Sequence, residues 1–545
     1  MTRIIKDIFT ILTKQEKQRL FLLTLSDIII SILDIVFLVL LLYIINYYTQ
    51  GNNTQLFKDI FNHPLLPILL FFLLFSIKNY TGYQVYKKQF AFIYKVASRI
   101  SKDKLEEYLT GNYINYVNTD SSVHNRKISQ QPIEFSHHVL SGFQQIVSQV
   151  FLILLTMIGI LIYNPILFPL LFLVLVPPIL LVSMLVRKKL RSVRASGKIV
   201  SEKALQHLQE ALDGYVESNL YQGNDFFTER YRKFQERFNQ HLSQQLVIQN
   251  LPSRFLEVFA VFGLLMLITI NSFLSHSSMV SIVTIAAFMA AAYKIIPGVV
   301  KILNSMGQIR TFTFTVSGIL ENKNQPKTNV PVDTISSIEF KDVYFKFKEQ
   351  AILNNLSFSM NKGDMMGIGG NSGRGKTTIV NLLLGFLQPG QGNILINNII
   401  CDDNLGNYWN NIAYIKQEPF FIHDTIARNI TFAENEFDEK KLSSVMKITG
   451  VDILAKRFKD NAETLITENG KNFSGGEKQR IQLARALYKE ADLIILDEAF
   501  NELDEPSEIA MLTYLQSLAH TGKMILLITH NTAAFAFCNK KIDLS

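Results

Sequence analysis

The chain has 545 residues, too many for one ordinary domain. Hydrophobic residues make up 48% of it and charged ones 18%, with 40 Phe and one Trp, which points away from an average soluble protein and toward membrane segments. The net charge of +8 is no nucleic-acid footprint: residues 1–335 carry 32 Lys and Arg against 20 Asp and Glu, residues 336–545 carry 22 against 26, so the excess belongs to the apolar half.

Two cysteines, Cys401 and Cys538, fall in the polar half, with no CxxC and no Cys/His cluster. They read as free thiols in a reducing cytosol, with no metal or redox centre.

The first twenty residues carry Arg3, Lys6, Lys14, Lys17 and Arg19. The run that follows, 20–47, is too long for a signal-peptide core and reads as a retained first span. Five more candidates lie near 64–86, 139–163, 165–186, 255–273 and 279–303, each long enough to cross about 30 Å of hydrocarbon. Lys87, Lys88, Lys95, Arg99, Lys102 and Lys104 follow span two, and Arg187, Lys188, Lys189, Arg191 and Arg194 follow span four. The loops after spans one, three and five hold only Lys58. Positive charge stays inside, so six spans with both termini cytoplasmic are expected.

Long polar stretches with helical spacing separate spans two and three, and spans four and five. They predict cytosolic extensions of the membrane helices, each broken near its middle, around 111–120 and 221–225. Asp27 and Asp34 lie seven apart in span one, hence on one helix face. Glu257 begins span five, and Lys294 lies inside span six just before Pro297. Charge in hydrocarbon is costly, so these residues are expected either to line a translocation path or to pair structurally. Pro177, Pro178 and Pro297 suggest kinks.

After a polar linker, short β-like runs alternate with helices, the pattern of an α/β domain. The run Gly367-Ile-Gly-Gly370-Asn371-Ser372-Gly373-Arg374-Gly375-Lys376-Thr377-Thr378 contains GxxxxGK[ST] between a strand-like and a helical segment. Such glycines let backbone N–H groups turn toward phosphate oxygens. Lys376 supplies a cation for the β- and γ-phosphates, and the Thr377 hydroxyl suits Mg²⁺. Later, the apolar run ending at Asp497-Glu498 delivers two carboxylates. Asp497 suits Mg²⁺ coordination, and Glu498 a base that polarises water.

Phe473-Ser474-Gly475-Gly476-Glu477 resembles the LSGGQ signature of the ABC ATPase family. The resemblance implies ATP and Mg²⁺ as ligands and a head-to-tail dimer in which Phe473–Glu477 of one copy close over ATP held by the other. It also implies that Gln417 senses Mg²⁺ and the attacking water, that His530 contacts the γ-phosphate, and that the loop Asn501–Asp504 signals across the dimer. Phe347 stands where relatives place an aromatic ring against adenine, and Glu468 resembles the acidic loop of exporters. With it, the breaks near 112–118 and 219–224 read as coupling helices. Glu477 replaces the commoner Gln, Phe473 replaces Leu, and Phe500 replaces a small polar residue. The chain stops soon after His530, where relatives usually continue.

The layout resembles exporter half-transporters: a membrane α-helical six-span domain (1–320), a linker (321–335) and a cytosolic α/β P-loop ATPase domain (336–545). A weaker resemblance, over Leu251–Glu257 and Ala287–Pro297, is to bacterial lipid-linked oligosaccharide flippases. These similarities imply a multi-pass protein of the cytoplasmic membrane, working as a homodimer with two active ATP sites and moving an amphipathic substrate by alternating access. A soluble ATPase of the repair or translation type does not fit six spans. Peptide or multidrug export, or an ATP-gated channel or regulator, keeps the same layout. No suitable Cys–His pair precedes span one, so an N-terminal peptidase is not expected.

Overall fold

The computed structural model describes residues 2–50, 65–111, 121–163, 167–273, 282–320, 334–347, 350–371, 373–401, 405–433, 436–467 and 470–544. Two compact units result, one helical and formed mainly before residue 326, the other mixed and holding Pro326–Ser545.

The helical unit opens with a short amphipathic helix, α1 (Thr2–Ile11), followed by α2 (Lys14–Gln50) and α3 (Leu66–Leu109). Residues 121–140 alternate α turns with π turns at Arg126–Gln130 and Phe135–Leu140, and run into α4 (Ser141–Tyr163). Then come α5 (Leu167–Asp213), the one-and-a-half-turn α6 (Tyr215–Leu220), α7 (Asn224–Phe273), α8 (Ile282–Thr311) and α9 (Thr313–Leu320). Each of the six expected spans falls on its own long helix, and several helices run on well past the apolar stretch. The break expected at 221–225 is present as the turn at 221–223 between α6 and α7; the one at 112–118 lies outside the described residues, as does most of the expected linker. Pro177 and Pro178 sit within α5, and Pro297 within α8.

Apolar side chains point outward along these helices, Phe21 at 67%, Phe72 at 69% and Ile162 at 80% exposure, as lipid-facing surface requires. By length and apolar composition, three helices among the described residues qualify as spans outright. At one end, α1 buries Ile8 and Ile11 against Phe92, Val96, Phe135 and Val139. A second cluster joins Leu256 of α7 to Phe288, Ala292 and Ile295 of α8. Polar residues of α4 also point inward: Ser141, Gln144, Ser148 and Thr156 are all buried. Ser305 Oγ donates to Gln145 Oε1 (2.9 Å), and Ser148 Oγ donates to Asp27 Oδ2 (2.9 Å). In hydrocarbon such cross-helix hydrogen bonds hold helices that have no hydrophobic reason to associate.

The second unit begins with antiparallel strands β1 (Ser337–Phe347) and β2 (Gln350–Asn361), then β3 (Met365–Gly369) and α10 (Lys376–Leu383). β4 (Gln391–Ile396), β5 (Ile399–Ile400) and β6 (Ile412–Ile415) follow. A helical segment carries α11 (Ile426–Thr431), α12 (Glu439–Thr449), α13 (Val451–Ala455) and α14 (Gly475–Tyr488). β7 (Leu493–Asp497), α15 (Glu505–His520), β8 (Met524–Ile528) and β9 (Lys540–Asp543) complete it. One sheet runs β2-β1-β4-β5; the other is parallel, in the order β6-β7-β8-β3-β9. Every residue of β3, β7 and β8 is buried, the mark of central parallel strands covered on both faces. Their carboxyl ends lie side by side, so the loops after them converge on one edge, where ligands of open α/β sheets bind.

Candidate functional site

The segment after β3 turns through Gly370 (φ +136°), Gly373 (φ +82°) and Gly375 (φ +92°). A side chain at Gly375 would strike Ile352 Cγ2 and Leu353 Cδ2 at 2.9 Å as well as strain the backbone. The turn hands directly into α10, whose free N–H groups face the loop. Lys376, the first residue of α10, is 7% exposed and donates to Gly370 O at 2.8 Å. Asn371, Gly373, Arg374 and Thr377 are exposed and Thr378 half-buried around it; Ser372 lies outside the described residues.

Beside this loop, β7 ends in the buried Asp497, and Glu498 follows with φ +54°, a strained conformation for a non-glycine residue. The adjacent strand holds it there, Glu498 N donating to Ile528 O at 2.9 Å. The Glu498 carboxylate is the hub of the site. Gln417 Nε2 donates to it at 2.7 Å and Asn501 Nδ2 at 3.1 Å, His530 Nε2 lies 2.9 Å away, and Lys376 Nζ 3.8 Å. His530 Nε2 is also 2.6 Å from Lys376 Nζ, so its single lone pair or proton serves two neighbours.

Burial pushes the proton affinity of Asp497 up; the Tyr414 hydroxyl, donating at 3.2 Å, opposes this, and the charge of Glu498 adds to it. A buried carboxylate with one hydroxyl donor, beside an exposed threonine and a glutamine, fits a divalent cation that takes its remaining ligands from phosphates and water. Among the described residues no group of three or more His, Cys, Asp or Glu forms a dedicated metal cage.

The segment Phe473–Glu477 forms a second cluster. Ser474 caps α14, its hydroxyl accepting from Glu477 N, while Ser474 N donates to the Glu477 carboxylate at 2.9 Å. Position 477 thus closes a capping box, which explains how a glutamate serves there. Burial works against its charge, but Arg457 and the Ser474 N–H hold the Glu477 carboxyl below the usual range. A Cβ on Gly475 would sit 2.7 Å from Glu502 Oε2, a side-chain tip that can give way, whereas one on Gly476 would sit 2.7 Å from the backbone Glu502 O, so glycine is needed at 476 under the loop after β7. Asp504 stands just before α15, its side chain making no capping hydrogen bond, and accepts from Arg480 at 3.2 Å.

Phe473 is buried against Phe458, ring centroids 5.5 Å apart, and Phe500, which departs from the pattern after Asp497-Glu498-Ala499, is buried in the same core, so both are packing residues. Phe347 is half exposed and edge-on to Phe345 at 5.4 Å. Glu468 lies outside the described residues.

In the membrane unit, Asp34 pairs with both Lys78 and Lys294, the latter at 3.3 Å. Asp27 accepts from Ser148 instead, and Glu257 stays on its own helix with Ser253 and Arg254. Four of these contacts escape a reading by motif: Tyr414 on Asp497, Arg457 on Glu477, Glu502 under the signature glycines, and Lys78 on Asp34. Of the four, Lys78 alone left a visible trace, as a charge interrupting the apolar run 64–86.

Two family models match the chain, the ABC transporter transmembrane region over residues 20–293 and the ABC transporter domain over residues 353–501. An ATP-dependent lipid A-core flippase of Paraburkholderia xenovorans is 26% identical over 356 residues, 63% of this chain and 59% of the relative. A flippase of the same description from Burkholderia orbicola is 26% identical over 353 residues, again 63% and 59%. The chain therefore spans about 59% of the length of these curated relatives. A solved bacterial ABC exporter of the Atm1 family with ATP bound superposes with a TM-score of 0.79 at 16% identity, covering 96% of this chain and 94% of that one, a likeness of fold. A helical transmembrane region and an α/β nucleotide-binding unit on one polypeptide, each matched by its own model, place the protein in the membrane: the chain belongs to the ABC transporter family.

Proposed function

We propose that the protein is an ATP-driven exporter or flippase that hydrolyses ATP to move an amphipathic substrate out of the cytoplasm or inner leaflet. The observation that carries this reading is the convergence of Lys376, Gln417, Glu498 and His530 at the carboxyl ends of β3, β7 and β8, on the same chain as a transmembrane region. Glu498 is the base that polarises water, Gln417 and Asn501 orient it, and His530 bridges it to the γ-phosphate. Gly370–Thr378 cradle the phosphates, Lys376 neutralises them, and Phe347 stacks on adenine. Thr377, Gln417 and Asp497 hold Mg²⁺, which when bound would neutralise charge on the phosphates. The working boundaries are 1–320 for the membrane domain and 336–545 for the ATPase, with both termini cytoplasmic.

Two copies are required, because Ser474–Glu477 must come from the partner to complete each ATP site. The open apolar face of α7, with Leu242, Leu246, Val247 and Phe255 exposed along a groove, supports a second copy as occupant. ATP closes the dimer, and its preference for the closed state turns the cavity outward, with the turn at 219–224 as one point of transmission. The lipid A-core flippases among the relatives support a lipid cargo, and the lipid-linked oligosaccharide is the candidate we favour.

ATP hydrolysis in proteoliposomes, titrated with lipid-linked oligosaccharide and with short hydrophobic peptides, tests this. Specific stimulation by the glycan lipid supports flippase work; stimulation by peptide alone makes the protein a peptide exporter. ATP turnover with no cargo moved in either case indicates a gated channel or regulator.

A further inference from the structure

Strand β6 and the turn after it reach both carboxylates at the end of β7. Gln417 Nε2 donates to Glu498 Oε2 at 2.7 Å, and the Tyr414 hydroxyl donates to Asp497 Oδ2 at 3.2 Å. The sheet sets the second contact. Tyr414 pairs in register with Ile495, and Asp497 stands two residues on, so ring and carboxylate share one face. The ring packs on the core that holds Ile412, Leu493 and Ile495. Phenylalanine would fill the same space, so the hydroxyl is the part that the core does not require. The four carboxylate oxygens are unequally used. On Glu498, Gln417 and Asn501 donate to Oε2, and His530 and Lys376 stand against Oε1. On Asp497, Tyr414 holds Oδ2, while Oδ1 accepts no hydrogen bond from the described residues. Asp497 is 6% exposed, so little water competes for that oxygen.

We propose that Tyr414 is a positioning residue that sets the ion specificity of the cation site: by holding Oδ2 it leaves Asp497 one oxygen to present, and so favours Mg²⁺ over Ca²⁺. The ground is the difference between the two ions. Ca²⁺ takes about six to eight oxygen ligands in flexible geometry and readily accepts a carboxylate through both oxygens. Mg²⁺ is smaller, demands near-ideal octahedral geometry and keeps several waters, which a single carboxylate oxygen suits. The argument holds whether Asp497 meets the ion directly or through water, because one oxygen is available in either case. Tyr414 acts through Asp497 and is not itself a ligand. This rests on the placement of the ion at Thr377, Gln417 and Asp497 proposed above.

The test uses the full-length protein in detergent and follows, by fluorescence, binding of a methylanthraniloyl-labelled ATP analogue with a non-hydrolysable β,γ-imido bridge while MgCl₂ or CaCl₂ is titrated. The analogue's own affinity for each ion is the same with every variant, so a change in the ratio of the two half-saturating concentrations reports the protein. The wild type is expected to half-saturate at lower Mg²⁺ than Ca²⁺. Tyr414→Phe should lower the half-saturating Ca²⁺ about tenfold, the size of one hydrogen bond, and leave that for Mg²⁺ within about threefold. Nucleotide affinity without metal and the melting temperature should stay as they were, and Ca²⁺ should inhibit Mg²⁺-supported ATP hydrolysis more strongly than in the wild type. An unchanged ratio in Tyr414→Phe overturns the proposal. So does a variant that melts early and loses nucleotide binding equally with either ion and with none, since the hydroxyl is then structural. Equal half-saturating concentrations of the two ions in the wild type overturn it without any variant. If neither ion alters nucleotide binding in the wild type, the cation site itself fails, and the role of Tyr414 with it.

Discussion

Two lysine–carboxylate centres, one in each unit, are built in opposite ways. In the nucleotide-binding unit, Lys376 opens the helix after β3 and Glu498 follows β7, two parallel strands flanking β8, and the backbone fixes both, even forcing Glu498 to φ +54°. In the membrane unit, Lys78, Asp34 and Lys294 come from three helices, and side-chain contact is what joins them. The first is preorganised by covalent geometry and its hydrogen bonds, so it can act on charge that develops in a reaction. The second depends on how helices pack, so it can be rearranged when they move or when a ligand offers a better ion.

The comparison breaks most visibly at the catalytic centre. Glu498→Gln keeps the shape of the site but removes the base, so steady-state phosphate release should fall by about 10²–10⁴-fold with nucleotide binding kept. Equal turnover in the variant would show that the strand-borne centre is not catalytic. Lys78→Met tests the helix-borne centre. Asp34 keeps Lys294 in this variant, so the loss of thermal stability in lipid or detergent should stay well below the about 3–5 kcal/mol that leaving a buried charge unpaired costs. A loss of that full size would mean that Lys294 does not satisfy Asp34. Gly375→Ala probes the backbone itself: strain and the 2.9 Å contacts with Ile352 and Leu353 should cost about 1–3 kcal/mol and weaken ATP binding, with the membrane unit untouched.

The smallest effect is a pH control. Burial works against the charge of Asp364, but Lys540, Asn361 N and Asn539 outweigh it and hold the carboxyl below its ordinary 3.8. Its folded-state value lies below the unfolded one, so its stabilisation is present at neutral pH and fades as pH falls through the folded value. Asp364→Asn should therefore cost below about 1 kcal/mol at pH 7, and the difference from wild type should vanish in acid. A gap that persists at pH 2 would refute the assignment.

The two centres also differ in how far the residues alone reveal them. The phosphate loop and the Asp497-Glu498 pair are contiguous runs whose chemistry depends on adjacency, so they read directly from the chain. The six spans follow from apolar length in the same way. Tyr414, Arg457 and Glu502 are partners brought in by sheet order and loop packing, which no local spacing encodes. The pairing of Asp34 with Lys78 depends on the relative rotation and depth of two helices, and one lysine barely alters the average hydropathy of its run. The π turns at Arg126–Gln130 and Phe135–Leu140 leave no compositional mark either. Asp27 and Glu257, set beside Asp34 as potential path residues, find uncharged or same-helix partners.

The loop after β7 mechanically joins two clusters. Asn501 holds the Glu498 carboxylate, and Glu502, the next residue, lies against the glycines of the signature turn. The base and the signature turn are thus touched by two consecutive residues of one loop. In the proposed head-to-tail dimer the turn would belong to the other nucleotide, and the loop would work as a one-residue crank between two combustion chambers. The firing of one site would then advance the timing of its neighbour, and single-turnover hydrolysis should be paced in pairs.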